Sequence, residues 1–132
     1  MTTYLLDTST IVYYLRGKQD AVNLLNTIEG ELVSSYVCLA ELYEGVFRVT
    51  NPFEIEEAVK KFFASLSFVY SLDEKVSKKF GELRANLKKK GEIIEDLDLM
   101  LAATCLVYNL TLITFNQKHF SHVPNLQMHP LG

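Results

Sequence analysis

The sequence has no apolar stretch long enough to cross a membrane, and its amino terminus lacks the basic region and long apolar run of a signal peptide. It has only two cysteines, Cys38 and Cys105, both in apolar segments without metal-ligand spacing. It also lacks excess positive charge, with a net charge of −3. We therefore expect a cytoplasmic protein with buried free thiols and no strong basic field for nucleic acid.

The chain has room for one hydrophobic core. Its 132 residues are close to the commonest domain size, and 48% of them are apolar while 22% are charged. No repeats or linkers interrupt it. We expect a single folded domain over residues 1–132.

Short apolar segments alternate with helical patterns along the chain. Strands are predicted over 3–6, 31–36, 67–70 and 111–114, with 126–129 as a candidate fifth. Helices are predicted over 10–15, 21–28, 37–49, 73–90 and 97–108, with a further helix after Pro52. This alternation predicts an α/β fold with a mostly parallel sheet of four to five strands and helices on both faces.

Four oxygen-bearing side chains are predicted to meet at one edge of this sheet. Asp7 follows the first strand, Glu41 lies in the helix after the second, and Asp98 lies in the first turn of the apolar helix. Asn116 comes two residues after Thr114, which closes the fourth strand. Open parallel sheets bind ligands beyond the carboxyl ends of their strands, so this edge is the candidate site.

Each acid also has a structural interpretation. Asp7 could simply cap the helix that follows it, Glu41 could be a partly exposed surface residue, and Asp96 is the predicted N-cap of the apolar helix. Asp98 is harder to explain in this way because it interrupts an otherwise apolar segment. A buried carboxylate costs several kcal/mol unless a cation, a hydrogen bond or protonation compensates it.

A cluster of carboxylates favours a hard divalent cation. The acids repel one another unless a cation holds them together, and oxygen ligands suit Mg²⁺ or Mn²⁺ better than zinc. Such an ion would orient a phosphodiester and activate a water to attack it. The expected chemistry is therefore phosphodiester hydrolysis without a covalent nucleophile.

Four segments resemble the motifs of PIN-domain nucleases, and especially of VapC-type toxins. They are YLLDTSTI at 4–11, LAELYEG at 39–45, DLDLMLAAT at 96–104 and LITFNQKHF at 112–120. They occur in the order of the family and near its usual spacing, from about residue 4 to the end of the chain. The resemblance raises the nuclease interpretation above the structural ones.

The resemblance implies roles for particular residues. Asp7, Glu41 and Asp98 would be metal-binding acids, and Asn116 stands where many members have a fourth acid. An amide oxygen binds a cation more weakly, for which Asp96 could partly compensate. Other positions would line the site or contact phosphate, and these are Ser9, Thr114, Arg84 and Arg16. For both arginines a purely structural position on a helix is the alternative.

The resemblance also implies a biological setting. The chain would be a homodimeric endoribonuclease, dependent on Mg²⁺ or Mn²⁺, that acts as the toxin of a type II toxin–antitoxin pair. Its partners would be an RNA substrate and a cognate VapB-type antitoxin that wraps the toxin and inserts a basic side chain near the acids.

Other functions remain open at this stage. A PIN-fold module could bind RNA or protein without catalysis, since fold alone does not determine function. A haloacid-dehalogenase-like phosphotransfer enzyme would have a second aspartate where Ser9 stands, and a response-regulator receiver would have paired acids near the first strand. His119, His122 and His129 are too scattered for a zinc site, and we interpret them as surface or loop residues.

Overall fold

The protein is built from four short strands and seven helices within residues 1–131, which are the residues that the computed structural model describes. The last residue of the predicted domain, Gly132, lies outside them. The strands are β1 (Thr3–Leu6), β2 (Glu31–Ser35), β3 (Phe68–Tyr70) and β4 (Thr111–Ile113). The helices are α1 (Thr8–Leu15), α2 (Gln19–Thr27), α3 (Tyr36–Phe47), α4 (Pro52–Ala64), α5 (Glu74–Lys89), α6 (Asp96–Tyr108) and α7 (Gln117–Phe120).

The sheet has the order β3-β2-β1-β4, and all three strand pairings are parallel. Successive residues of a strand point to opposite faces, and both Leu5 and Leu6 of β1 are fully buried. Both faces of the central strand are therefore covered, which confirms the predicted α/β fold with helices on either side.

The loop into β2 depends on a glycine. Gly30 has a φ of +143°, and a Cβ placed there would lie 2.4 Å from the carbonyl oxygen of Thr2. Directly after it, the backbone N–H of Glu31 donates to this same oxygen at 3.0 Å. This close approach sets the register in which Leu5 of β1 pairs with Val33 of β2.

The helix predictions are largely confirmed. Helix α5 begins after Asp73, whose carboxylate accepts from the N–H of Val76 at 2.8 Å and so caps the first turn. Its buried residues are Val76, Leu83 and Leu87, which lie on one face of the helix, with Phe80 partly buried beside them. Along the part of the chain that is described, no helix is long and apolar enough to span a membrane.

The carboxyl-terminal segment differs from the prediction of a fifth strand. Met128 forms a single parallel bridge with Leu112, and His129 donates to the carbonyl of Leu112 at 2.9 Å. Pairing goes no further on this side of β4, whereas β1 pairs with β4 at three positions on the other side. The short helix α7, between β4 and this bridge, was not predicted.

Candidate active site

Asp7 begins the candidate site at the carboxyl end of the central strand. It is 3% exposed and is the N-cap of α1, where its Oδ1 accepts from the backbone N–H of Thr10 at 2.9 Å. The Thr10 hydroxyl donates to the same oxygen at 2.6 Å and also lies 3.1 Å from the carbonyl oxygen of Ile113. The capping interpretation is thus confirmed, and it fixes the carboxylate at the junction of β1 and β4.

Glu41 lies in the second turn of α3, which starts directly after β2. It is half-buried, and its Oε1 accepts from the hydroxyl of Thr8 at 2.6 Å. Thr8 follows Asp7 in the chain, so this bond places the second acid beside the first. The alternative considered for this position, a partly exposed glutamate, describes its exposure, and the bond from Thr8 adds a partner at the site edge.

Asp98 is the third acid, in the first turn of α6. Burial raises its pKa above that of an ordinary aspartate, and the negative charges of Glu41 and Asp7 raise the pKa further. His119 opposes this shift, because its Nε2 lies 2.8 Å from Oδ2 of Asp98. Glu41 and Asp7 are therefore close enough to Asp98 to disfavour the charged form of its carboxyl.

Cys38 lies directly beneath these acids but offers no nucleophile. Its thiol is fully buried and approaches the carbonyl oxygen of Leu6 at 3.6 Å. Burial, with the charges of Asp7 and Glu41 adding to it, raises the pKa of this thiol to about 12, although Ser34 and Thr8 oppose the shift. Cys105 is also buried and free, which confirms the prediction for both thiols.

Three further polar residues predicted for the site lie at the same edge. Ser9 donates to Oδ1 and Oδ2 of Asp7, at 3.0 and 3.1 Å. Thr114 is fully buried, and its hydroxyl accepts from the backbone N–H of Asn116 at 2.9 Å. The Asn116 side chain is exposed at the start of α7. Ser9 thus orients the Asp7 carboxylate, and Thr114 fixes the backbone that leads from β4 into α7.

Asp96 and Arg84 pair with each other rather than with the acids. Arg84 donates to Oδ1 of Asp96 at 2.6 Å and to the carbonyl oxygen of Ile94 at 2.8 Å. The expectation that Asp96 caps α6 is wrong: the helix begins at Asp96 itself, and Glu95 is the N-cap, without a capping side-chain bond. Arg84 instead ties α5 to the first turn of α6, which carries Asp98.

Arg16 lies at the opposite end of α1 from Asp7. It is the exposed C-cap residue of the helix, and eight helical residues separate it from the acid, a length of about 12 Å. The structural interpretation of Arg16 as a helix-end residue therefore describes its position better than phosphate contact at the acids.

Sequence reasoning missed the contact between His119 and Asp98. His119 is 41% exposed, in keeping with its interpretation as a surface residue, yet its ring reaches the carboxylate of α6. The available signal was its position three residues after Asn116, one helical turn beyond the predicted site edge. That signal depends on α7, which no periodicity predicted.

The carboxylate oxygens of Asp7, Glu41 and Asp98 are the type of ligand that a hard divalent cation requires, but they do not converge on one point. Among residues 1–131, no three His, Cys, Asp or Glu side chains are grouped so that they could hold a metal ion. Each acid directs one oxygen mainly to a protein partner: Oδ1 of Asp7 to Thr10, Oε1 of Glu41 to Thr8, and Oδ2 of Asp98 to His119. A cation would offset the charge repulsion that raises the pKa of Asp98.

Comparison with known proteins gives one consistent family. The sequence model of the PIN domain matches residues 4–126. Ribonuclease VapC2 of Rickettsia felis is 32% identical over 128 residues, which is 93% of each chain, and ribonuclease VapC1 of Haemophilus influenzae is 29% identical over 127 residues, or 94% of each. The structure of VapBC2 from Rickettsia felis, bound to a promoter DNA fragment, superposes with a TM-score of 0.89 at 30% identity, covering 97% of this chain and 98% of that one.

Proposed function

Because the chain belongs to the PIN-domain family and resembles ribonucleases VapC over nearly its whole length, we propose that it is an endoribonuclease and the toxin of a type II toxin–antitoxin pair. The observation that carries this proposal is the placement of Asp7, Glu41 and Asp98 at one edge of the sheet. Burial raises the pKa of the Asp98 carboxyl and the charges of Glu41 and Asp7 raise it further, as expected for carboxylates that would bind a cation.

The proposed cofactor is Mg²⁺ or Mn²⁺, held by Asp7, Glu41 and Asp98. When bound, the ion would supply an activated water and positive charge for the phosphate. Asn116 and Asp96 would act at the edge of this site, where the Asn116 amide oxygen is the weaker ligand and Asp96 is already paired with Arg84.

The protein's own residues prepare this site in distinct ways. Thr10 and Ser9 hold the Asp7 carboxylate in one orientation, so that it need not reorganise when substrate arrives. Thr8 donates a hydrogen bond to Glu41 and His119 contacts Asp98, so one oxygen of each carboxylate is held by a protein partner. The buried Cys38 thiol stays protonated beneath the acids, so it is not a nucleophile for the reaction.

The proposed protein partners are a VapB-type antitoxin and a second copy of this chain. The similar solved structures include VapBC2 from Rickettsia felis and VapBC-1 from Haemophilus influenzae. In this chain several large apolar side chains are strongly exposed, among them Phe47 (76%), Phe53 (73%) and Phe68 (56%). Exposed aromatic side chains of this size are typical of surfaces that bind other proteins. We place the activity in the cytoplasm, with RNA as the substrate.

An RNA cleavage assay tests the catalytic proposal. Purified, antitoxin-free protein is incubated with total cellular RNA in Mg²⁺ or Mn²⁺, with EDTA, and as the Asp98→Asn variant. We expect discrete products that disappear with EDTA and with the variant. Asp20→Asn is the matched control, because Asp20 is an exposed acid on α2 away from the site, and it should cleave as the wild type does.

The same experiment separates the alternatives. Intact RNA with every metal, together with no heat of Mg²⁺ or Mn²⁺ binding by calorimetry, would favour the non-catalytic binding module. Cleavage that persists in Asp98→Asn would show that the acids are not the site. Labelling of the protein by a small phosphodonor would instead favour a receiver or haloacid-dehalogenase-like phosphotransfer domain.

A further inference from the structure

A wide cavity of about 600 Å³ opens beside the acid cluster, around helix α7. We call it the α7 cavity; its lining includes Phe115, Asn116, Gln117, Lys118, His119 and His122. His119 belongs both to this cavity and to the acid cluster, because its Nε2 lies 2.8 Å from Oδ2 of Asp98. A ligand in the cavity would therefore lie next to the proposed reaction centre.

The lining of the cavity differs in charge from the acid cluster, because Lys118 is the residue of fixed charge among those that line it. No aspartate or glutamate is among the residues that line it, whereas Lys118, His119 and His122 all present N–H groups. Each histidine ring contacts one carboxylate outside the lining: Nε2 of His119 lies 2.8 Å from Oδ2 of Asp98, and Nδ1 of His122 lies 3.3 Å from Oε2 of Glu92. On a chain with a net charge of −3, this patch is a local site for an anion beside a negative centre.

The cavity also contains a fixed aromatic surface. The ring of Phe115 packs edge-on against Tyr13 of α1, with ring centroids 5.4 Å apart and an interplanar angle of 67°. Lys18 in turn lies 4.2 Å from the centre of the Tyr13 ring. Phe115 is therefore held from behind, which makes its ring a rigid contact for a planar ligand.

Cationic groups beside a fixed aromatic ring are the combination that binds single-stranded nucleic acid. The cations contact phosphates, and the ring stacks on a base without regard to sequence. An acidic peptide would meet the same N–H groups, but a nucleotide chain carries a planar base in every unit that can stack on the ring. The lining therefore favours a nucleotide chain over a protein segment.

We propose that the α7 cavity binds the RNA strand adjoining the scissile phosphate, with Lys118 and His122 contacting backbone phosphates and Phe115 contacting a base. The inference rests on the proposed ribonuclease function, whose substrate it guides toward the acids. His119 lies between the α7 cavity and the acid cluster, where the RNA strand would pass from the cavity to the acids.

Binding of a fluorescein-labelled single-stranded RNA tests this proposal. Fluorescence anisotropy is measured in Mg²⁺ at several salt concentrations, in the Glu41→Gln background so that the strand stays intact. We expect Lys118→Gln and His122→Gln together to weaken binding on the order of ten-fold, as for the loss of charge-assisted hydrogen bonds. Lys118→Gln alone should lower the slope of log K against log salt by about 0.7, the value for one phosphate contact on a single strand.

Lys78→Gln is the matched control, because Lys78 is an exposed lysine on α5 that does not line the α7 cavity. It should leave affinity and salt slope unchanged. Phe115→Leu should weaken binding by roughly five-fold or more, the loss of one stacked base. Far-UV circular dichroism of each variant checks that the fold is retained.

Cleavage by the wild-type protein, measured in parallel, separates the two proposals. If the wild type cleaves RNA but the α7 variants bind like Lys78→Gln, the subsite is overturned and the ribonuclease proposal stands. If the wild type leaves RNA intact and the Glu41→Gln protein does not bind it, both are overturned. Weakened binding with a reduced salt slope, confined to the α7 variants, would support the subsite.

Discussion

Replacing Thr10 by valine should destabilise the protein through a single hydroxyl group. Thr10 is fully buried, and its hydroxyl lies 2.6 Å from Oδ1 of Asp7 and 3.1 Å from the carbonyl oxygen of Ile113. Valine has nearly the same shape, so the substitution leaves two acceptors with one donor fewer and creates no cavity. The free energy of unfolding should fall by about 1–3 kcal/mol, the cost of an unsatisfied buried polar group.

Urea unfolding followed by far-UV circular dichroism measures this loss, since the chain has no tryptophan to report by fluorescence. For 132 residues the melting temperature should fall by roughly 4 °C for each kcal/mol. Thr27→Val is the control, because the Thr27 hydroxyl is exposed and bonds only within its own helix. If Thr10→Val loses no more than about 0.5 kcal/mol, as expected of Thr27→Val, the link from Thr10 to Asp7 and β4 is not stabilising.

Two further predictions concern the acids and their support. Mg²⁺ should raise the melting temperature of EDTA-treated wild type, by an amount equivalent to about 2.7 kcal/mol at one hundred times its Kd. Differential scanning fluorimetry should show a much smaller rise for Asp98→Asn. Equal shifts in the two proteins would show that Asp98 is not a metal ligand. Arg84→Gln should lower the kcat for RNA cleavage several-fold with at most about 1 kcal/mol lost in stability, because Arg84 holds the start of α6 through a partly exposed pair. Arg48→Gln, which breaks only an exposed pair with Glu44, should change neither, and an equal effect on kcat would refute the positioning role.

The sheet could be predicted because its strands carry a strong local signal. Residues 3–6 and 111–113 are largely apolar and end at polar residues, and they form the central strand β1 and its largely buried neighbour β4. The carboxyl-terminal segment has a similar apolar character around Leu126 and Met128, but it forms one bridge. Whether such a segment pairs along its whole length depends on the strand beside it, and local composition does not contain that information.

The three acids could be located because each follows an element whose end is visible in the sequence. Their partners could not, since every partner comes from outside the local pattern. His119 reaches Asp98 from a four-residue helix, and Arg84 reaches Asp96 across twelve residues of chain. A charged side chain pairs with whatever the packing of helices brings within a few ångströms, and helix periodicity predicts which face is buried but not which neighbour covers it.

Capping and metal binding are alternatives for Asp7 only while the residue is considered as a whole. A carboxylate has two oxygens, which can have different partners. Oδ1 of Asp7 accepts hydrogen bonds from both the N–H and the hydroxyl of Thr10. Within residues 1–131, Oδ2 accepts one hydrogen bond, from Ser9 at 3.1 Å. The cap therefore fixes one oxygen and orients the other, which is the preorganisation that a cation site requires. The same division holds for Glu41 with Thr8. The features that make Asp7 an ordinary helix cap thus also make it a suitable ligand, and the structural interpretation supports the catalytic one.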